Sequence, residues 1–417
     1  MIHVKRSHHR LLADPRKVLP RFLNMGSPER IEPVAGHVAA LSETETHRLL
    51  TELRDEFEAR HFDLPSLWLE HFHKIARFVP DKLSESQQML LGAYFTHEYS
   101  IQASALFNPS IVPHPDQSGL TEDELRFILS LRAVGEGHIS SIAFQTGVAD
   151  REGNITLDET QPQLTQGRIL GKDSDLENGY DLEFPEASPL SSRVLFPVSA
   201  AESNGMEDAR FVRFNDGERP RYYATYTAYD GRRIRPHWAE TEDFRRFSIR
   251  PLSGRAASDK GMAIFPEKVN GRYAMIGRQG GRCMSIMYSD DLLHWDEHSL
   301  LQAPAQSWEM LQMGNCGSPL KTPQGWLLLT HAVGPMRKYV LSLSLLHPEH
   351  PERVLASLPY PLLQPNADER EGYVPNVLYT CGMILHEGNL IIPYAMSDSA
   401  IGFASAPIDE VLRELIR

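Results

Sequence analysis

The sequence predicts an all-β chain built as a propeller and preceded by an α-helical extension. Three observations carry that prediction. The first hundred residues place apolar side chains at helical spacing, whereas from Arg126 onward short β-branched and aromatic runs alternate with Gly, Asp, Asn and Pro. About a dozen such runs follow one another without the alternating helices of a parallel sheet, which leaves a sandwich, a large barrel or a propeller. Ser289-Asp290-Asp291-Leu292-Leu293-His294-Trp295 follows a strand as a Ser-x-Asp-x-x-x-Trp turn of the kind that recurs between propeller blades, and Thr241-Glu242-Asp243-Phe244 echoes it one blade earlier.

The elements follow in order. Ser42 and Glu45 form a capping box that opens a helix to about Arg60, with Leu49, Leu50, Leu53 and Phe57 on its apolar face. A second helix is expected over Leu64–Val79 and a third over Ser84–Tyr99, where Leu90, Leu91, Tyr94 and Phe95 share a face. Strands are expected at Phe127–Val134, Ser140–Thr146, Arg193–Val198, Arg210–Phe214, Arg221–Tyr229 and Gly261–Lys268. Six more are expected at Arg272–Gly277, Met284–Tyr288, Gly325–Val333, Lys338–Leu345, Val377–Leu385 and Asn389–Ala395. Asn215-Asp216-Gly217, Val269-Asn270-Gly271 and His386-Glu387-Gly388-Asn389 supply tight turns, so antiparallel hairpins dominate. The division expected is a helical extension over 1–100, acting as a lid or an oligomer contact, and a propeller over 101–417.

Composition narrows the function. A chain of 417 residues with 41% hydrophobic and 23% charged residues has ample material for a core. Its formal net charge of -13, with no run of Lys and Arg, argues against a nucleic-acid partner. Basic residues in Met1–Arg10 precede no apolar segment, and no stretch reaches membrane-span length, so a cytoplasmic chain with no membrane partner is expected. Cys283, Cys316 and Cys381 are odd in number and widely spaced, which indicates neither a disulfide framework nor a zinc site but buried, reduced thiols. No His and carboxylate cluster demands a metal, and no cofactor is expected.

The densest polar motif is Ser203-Asn204-Gly205-Met206-Glu207-Asp208-Ala209-Arg210, running into Phe211-Val212-Arg213-Phe214. It sets two adjacent carboxylates, an amide and a guanidinium on a Gly-containing turn at the mouth of a strand, where a rigid sheet can present them to a polar ligand. Other segments pair a polar residue with small neighbours: Asn108-Pro109-Ser110, Arg132 with Gly135-Glu136-Gly137-His138, Lys260-Gly261 and Arg278-Gln279. Glu309 precedes Gly314-Asn315-Cys316-Gly317, His331 and Tyr339 sit on neighbouring strands, and Ser397-Asp398 ends the last hairpin. Each alone has a plain structural explanation: a turn former at Asn108, an Arg132–Glu136 pair, solvated Lys260 and Arg278, a satisfied core His331. Only their ensemble suggests a polar well fed by several blades.

Taken together, Phe107-Asn108-Pro109, Leu131-Arg132-Ala133, Glu207-Asp208-Ala209-Arg210, Phe265-Pro266-Glu267-Lys268, Gly325-Trp326-Leu327 and Tyr394-Ala395-Met396-Ser397-Asp398 resemble glycoside hydrolase family 130 from about Ala105 to Phe403. These are five-bladed β-propellers that cleave β-mannosides. Ala209 stands where the family usually has Pro. The resemblance implies inverting attack at the anomeric carbon, with Asp208 as the acid acting through a sugar hydroxyl. A carboxyl beside Glu207 is expected to hold its proton, because adjacent negative charges are unfavourable. The resemblance places Asn108, Arg132 and Asp398 on the non-reducing mannose, and His138, Asn204, Glu207 and Arg210 complete the expected sugar-binding set.

Two nucleophiles remain open within that resemblance. In the family's phosphorylases, groups at the positions of Lys260, Arg278, His331 and Tyr339 bind inorganic phosphate, and their chemistry here suits a dianion. Phe107–Asp116 and Gly135–Ile142 instead resemble an N-terminally extended branch that includes inverting β-1,2-mannosidases. Hydrolysis needs a general base across the sugar, roughly 6.5 to 9.5 Å from the acid, for which Glu309 is the first candidate and Glu267 the second. The expectation is an exo-acting β-1,2-mannosidase on short β-linked manno-oligosaccharides. The alternatives are a β-1,2-mannoside phosphorylase yielding α-mannose 1-phosphate, and a non-catalytic carbohydrate-binding propeller, which retention of Asp208 disfavours. A furanosidase propeller would need three acids on separate blades, and no convincing trio is present. A homo-oligomer through the helical arm fits such a fold.

Overall fold

The structure is a computed structural model that describes the whole chain except Met1, Pro80, Asp81, Lys172 and residues 216–219, together with the side chains of 173–175. The Asp216-Gly217 part of one expected turn lies outside the described residues. The chain divides into two compact units, Pro15–Gln102 with Gln161–Thr165, and Met1–Asp14 with Ala103–Thr160 and Gln166–Arg417.

The smaller unit is helical. Pro28–Ala40, Glu43–Phe57, Leu64–Ile75 and Glu85–Tyr94 are its helices, and Ser42 caps the second by accepting from the Glu45 N–H. Trp68, Phe72, Leu90, Leu91 and Phe95 are buried at its centre. Gly92 permits a close helix approach, since a Cβ there would stand 1.8 Å from the Trp68 carbonyl oxygen. The third helix stops at Tyr94, short of the expected Tyr99, because Thr96–Ser100 turns to pair with Val18–Phe22. The helix Pro28–Ala40 was not anticipated, as Pro28, Pro33 and Gly36 read as breakers.

The larger unit is a five-bladed β-propeller whose strands form four sheets, one of them a twelve-stranded sheet that carries the first two blades, linked by the parallel pair Gly205 and Ser140. Blade 1 comprises Ala105–Pro113, Leu125–Val134, Ser140–Ala149 and Ile155–Leu157; blade 2 comprises Gly205–Phe214, Arg221–Tyr229, Ile234–Thr241 and Arg246–Pro251. Blade 3 runs from Ala263 to Gln302. Blade 4 starts on the interrupted strand Gln312–Asn315 and Leu320–Thr322 and ends at Val354–Ser357. Blade 5 starts on Leu378–Tyr379 and Ile384–His386 and continues through Asn389–Met396 and Ala400–Pro407.

The outer strand of blade 5 comes from the opposite end of the chain. Lys5 and Arg6 pair with Ser405 and Ala404, and Leu11 and Leu12 with Ile401 and Ala400. Residues 1–14 therefore belong with the sheets, not with the helical extension expected over 1–100, because unpaired edge amides on Ala400–Pro407 take them up as ladder partners. The two turn motifs share one construction. Ser289 Oγ accepts from the Asp291 N–H while Asp291 Oδ1 accepts from the Leu293 N–H, and Trp295 is fully buried. Thr241 and Asp243 repeat this, with buried Phe244 as the aromatic. Between blades 1 and 2, Phe144, Phe211, Phe244 and Phe247 pack ring against ring, joining the two blades that carry Asn108, Arg132 and Asp208.

Candidate active site

Two backbone irregularities build the well. In blade 1 the pairing slips between Phe107 and Ser110, and in blade 2 it slips between Glu207 and Arg210. Such a bulge inserts an unpaired residue and re-aims its side chain. Asn108 and Asp208 are those residues, both in left-handed backbone at φ +49° and +54°. The Glu-Asp motif thus lies inside a strand that begins at Gly205, not on a turn before one beginning at Arg210. In blade 5, Ser397 and Asp398 are also left-handed, at φ +50° and +53°, and turn the Asp398 carboxyl inward.

The three side chains meet in a cavity of about 280 Å³ whose walls also include Arg132, Arg278, His331 and Tyr339. Asn108 Nδ2 donates to Asp208 Oδ1 at 2.7 Å, and Arg132 Nη1 approaches the same oxygen at 3.4 Å. Arg132 is anchored from three sides: Nε donates to Ser140 Oγ (2.9 Å), Nη2 to Glu207 Oε1 (2.6 Å), and its guanidinium lies 5.1 Å from the Phe107 ring centroid. Burial opposes its charge, but Asp208, Glu207 and Asp398 outweigh that and hold it more firmly protonated than usual.

The expectation that Glu207 keeps a proton on Asp208 fails. Glu207 is turned away, its carboxylate shared between Arg132 and Lys260 Nζ (2.8 Å). Burial raises the Asp208 pKa, but Arg132, Arg210, the Asn108 amide and Lys260 together draw it below the ordinary carboxylate value. Asp398 behaves oppositely: burial and the Asp208 charge push its pKa up to about 6, against the pull of Arg132 and Arg337. The well thus holds an ionised Asp208 beside a carboxyl whose pKa is pushed up to about 6.

On the facing wall, burial and then the charges of Arg278 and Arg210 drive the His331 pKa well below its usual value, so the ring is neutral. Its Nε2 faces two donors, Arg278 Nη1 at 3.4 Å and Gln312 Nε2 at 3.5 Å, and is therefore the accepting nitrogen. Tyr339 stacks on it at 6.2 Å between centroids and Tyr379 meets it edge-on at 4.8 Å. Arg210 lies beneath the well, donating to the Asp208 carbonyl and to the Tyr379 hydroxyl.

Other expected residues stand elsewhere. Glu309 is buried with its carboxylate accepting the Ala305 and Gln306 N–H groups, which makes it a turn cap outside the cavity lining. Glu267 pairs with Lys321 in a separate groove of about 360 Å³, which Arg213 also lines. Arg213 is five residues along the strand from Asp208, roughly 16 Å at an extended rise. Lys260 is held by Glu207, the Asn204 side chain lies near Gly231, and His138 is exposed on its hairpin. Arg132 pairs with Glu207 and Asp208, and of the thiols only Cys316 and Cys381 are buried while Cys283 is half-buried. Sequence reading missed Arg337, Tyr373 and Tyr379, which line the cavity. For Arg337 a signal existed, a cation after Gly334-Pro335 between two expected strands; for Tyr379 none did, since it sat inside an apolar run.

No helix among the described residues is long and apolar enough to cross a membrane. A family model described as beta-1,4-mannooligosaccharide phosphorylase matches residues 174–416. A 1,2-beta-oligomannan phosphorylase of Thermoanaerobacter sp. (strain X514) is 31% identical over 226 residues, 53% of this chain and 75% of that protein. Among solved structures, the beta-1,2-mannobiose phosphorylase of Listeria innocua superposes with a TM-score of 0.51 at 21% identity, covering 76% of this chain and 93% of that one. Another, described under the statement that the family of mannoside phosphorylases contains glycoside hydrolases targeting beta-1,2 mannosidic linkages in Candida mannan, gives 0.54 at 17% identity over 74% and 86%. At those identities the superpositions speak for the fold. Because the family model spans more than half the chain and the Thermoanaerobacter relative is aligned over three quarters of its length, this protein belongs to glycoside hydrolase family 130.

Proposed function

We propose that this chain is an inverting phosphorylase of β-mannosides, with β-1,2-linked manno-oligosaccharides as substrates and α-mannose 1-phosphate as product. The observation that carries the reading is the charge of the cavity. Arg132, Arg278 and Arg337 line it against the carboxyls of Asp208 and Asp398, leaving a cationic surplus that a phosphate dianion would neutralise. Both carboxylates offered as a water-activating base are engaged elsewhere, Glu309 as a backbone cap and Glu267 with Lys321.

The low proton affinity of Asp208 is part of the same reading. A dianion beside Arg278 and Arg337 offsets cationic charge and adds like charge near Asp208, and both effects raise the affinity of that carboxyl for a proton. Phosphate thereby arms the acid that its own attack requires. Asn108, Arg132 and Asp398 hold the terminal mannose. An oxygen of hydrogen phosphate bonds to the anomeric carbon from the face opposite the leaving oxygen, and Asp208 supplies the leaving oxygen's proton through a sugar hydroxyl. The phosphate proton finally makes good the loss. Neutral His331, accepting at Nε2, suits a phosphate that still bears that proton.

The likeness of Phe107–Asp116 to a hydrolytic branch favours water as the second reading. Incubation with β-1,2-mannobiose, with and without inorganic phosphate, separates the two. Phosphate-dependent release of α-mannose 1-phosphate is expected; phosphate-independent release of mannose alone would overturn the proposal.

A further inference from the structure

Tyr373 lines the cavity with Asp208 and Asp398, yet it is 64% exposed and none of the roles above uses it. Its backbone is fixed. The Tyr373 N–H donates to Ser399 Oγ at 2.7 Å and the Val374 N–H to the Ser397 carbonyl at 3.0 Å, so the segment lies along the turn that carries Asp398. Gly372 permits that approach, because a Cβ there would stand 2.5 Å from Ser399 Oγ and 2.6 Å from the Ser397 carbonyl oxygen. One neighbour meets the ring from blade 1: His138, whose own ring lies 6.3 Å away and tilted by 30°. His138 is itself held in left-handed backbone, at φ +60°.

An aromatic side chain on a fixed backbone at the open end of a polar cavity matches one ligand class. A pyranose has a face of C–H bonds that carries partial positive charge, and the face of an aromatic ring carries partial negative charge. Asn108 is buried and Arg132 mostly so, with Asp398 beside them, which suits the terminal sugar with its full set of hydroxyls. Tyr373 belongs to the exposed end, where the second sugar of the substrate projects. We propose that Tyr373, braced by His138, is the stacking platform for the leaving sugar in cleavage and for the acceptor sugar in the reverse reaction. This rests on the mannoside phosphorylase reading and adds to it the residue that selects a pyranose at that subsite.

Synthesis from α-mannose 1-phosphate and mannose tests it, because the two substrates report on different subsites. Tyr373→Ala is expected to raise the KM for mannose about tenfold, equivalent to about 1.4 kcal/mol, while the KM for α-mannose 1-phosphate stays within about twofold. Tyr373→Phe should match the wild type, since the ring face and not the hydroxyl is used, and His138→Ala should give a smaller rise in the same KM. An unchanged mannose KM in Tyr373→Ala, or equal rises for both substrates, would overturn the platform. If the wild type makes no disaccharide and releases mannose without phosphate, the phosphorylase reading falls by itself. The platform is then decided by the KM for β-1,2-mannobiose hydrolysis, where a tenfold rise in Tyr373→Ala retains it and no rise removes it.

Discussion

Asp398, proposed above to hold the terminal mannose, is kept at a cost to the fold, and replacing it with Asn should expose that cost as a pH-dependent gain in stability. The residue occupies left-handed backbone, which Asn tolerates as well as Asp, so the substitution changes charge without disturbing the turn. Burial and Asp208 move its pKa from 3.8 to about 6 in the fold, which corresponds to about 3 kcal/mol between its two protonation states. Because the folded value is the higher one, the favourable contribution is complete below the unfolded value and is lost as pH rises through the folded value. Well below the unfolded value of 3.8 the carboxyl is protonated in both states, so Asp398→Asn and wild type should approach equal stability there. Above pH 6 the wild type holds an unwelcome charge, and the variant should be more stable by about 2 kcal/mol once solvent in the open cavity is allowed for. Urea unfolding of the propeller transition at several pH values from 4.5 to 8 reads the difference directly. A difference that does not change with pH would refute the argument. Turnover should fall in the same variant, a trade between stability and function that active sites commonly show.

Two further substitutions test the assignments away from the well. Glu309→Gln should cost about 1 kcal/mol, the loss of a charged cap on the Ala305 and Gln306 amides, and should keep near-native turnover; a loss beyond a hundredfold with intact folding would return Glu309 to the mechanism. Arg6→Met leaves the Glu369 carboxylate, 2% exposed, with Tyr394 and the Asn366 amide as its remaining partners. Arg6 is itself one-third exposed, so the cost should be about 2 to 4 kcal/mol, below that of a fully buried pair. Since the Ser397 hydroxyl donates to the Glu369 carbonyl, the KM for mannoside should rise as well. An unchanged melting temperature would contradict this.

Local patterns were legible in the sequence and long-range pairings were not. Arg221–Tyr229 and Gly325–Val333 emerge with their expected bounds, because β-branched and aromatic runs between turn residues report directly on a half-buried or buried strand. The Trp295 turn was legible for the same reason, as the Ser289, Asp291 and Trp295 side chains make their hydrogen bonds within seven residues. Ala105–Pro113 was missed because Asn108-Pro109 reads as turn punctuation, whereas the bulge there makes the punctuation part of a strand. The same effect hid the first half of Gly205–Phe214. Within the site, Asp208, Arg132, Asn108 and Asp398 were named and do converge. Their electrostatics were not legible, because the charge on Asp208 depends on Lys260 and Arg132 occupying Glu207, a pairing across separations of 53 and 75 residues.

The left-handed backbone at Asn108, Asp208 and Asp398 connects fold to chemistry. A non-glycine residue in that region costs about 1 to 2 kcal/mol, and Asn and Asp bear it most readily because their short polar side chains can bond locally. Those two residue types also supply the amide and carboxyl groups a polyol and an acid catalyst need, so under the proposed function backbone and reaction select the same side chains. The Asn108 Oδ1 is buried and has no partner among the described residues, and such a group is costly unless a ligand hydroxyl reaches it. Strain and an unmet acceptor converge on the cavity from separate blades, as expected of a site arranged before its sugar arrives. It follows that alanine variants here confound two effects, loss of the polar group and loss of a residue that tolerates the bulge. Asp208→Asn and Asp398→Asn keep the backbone preference and remove only the charge, so a defect in those variants belongs to chemistry and not to folding.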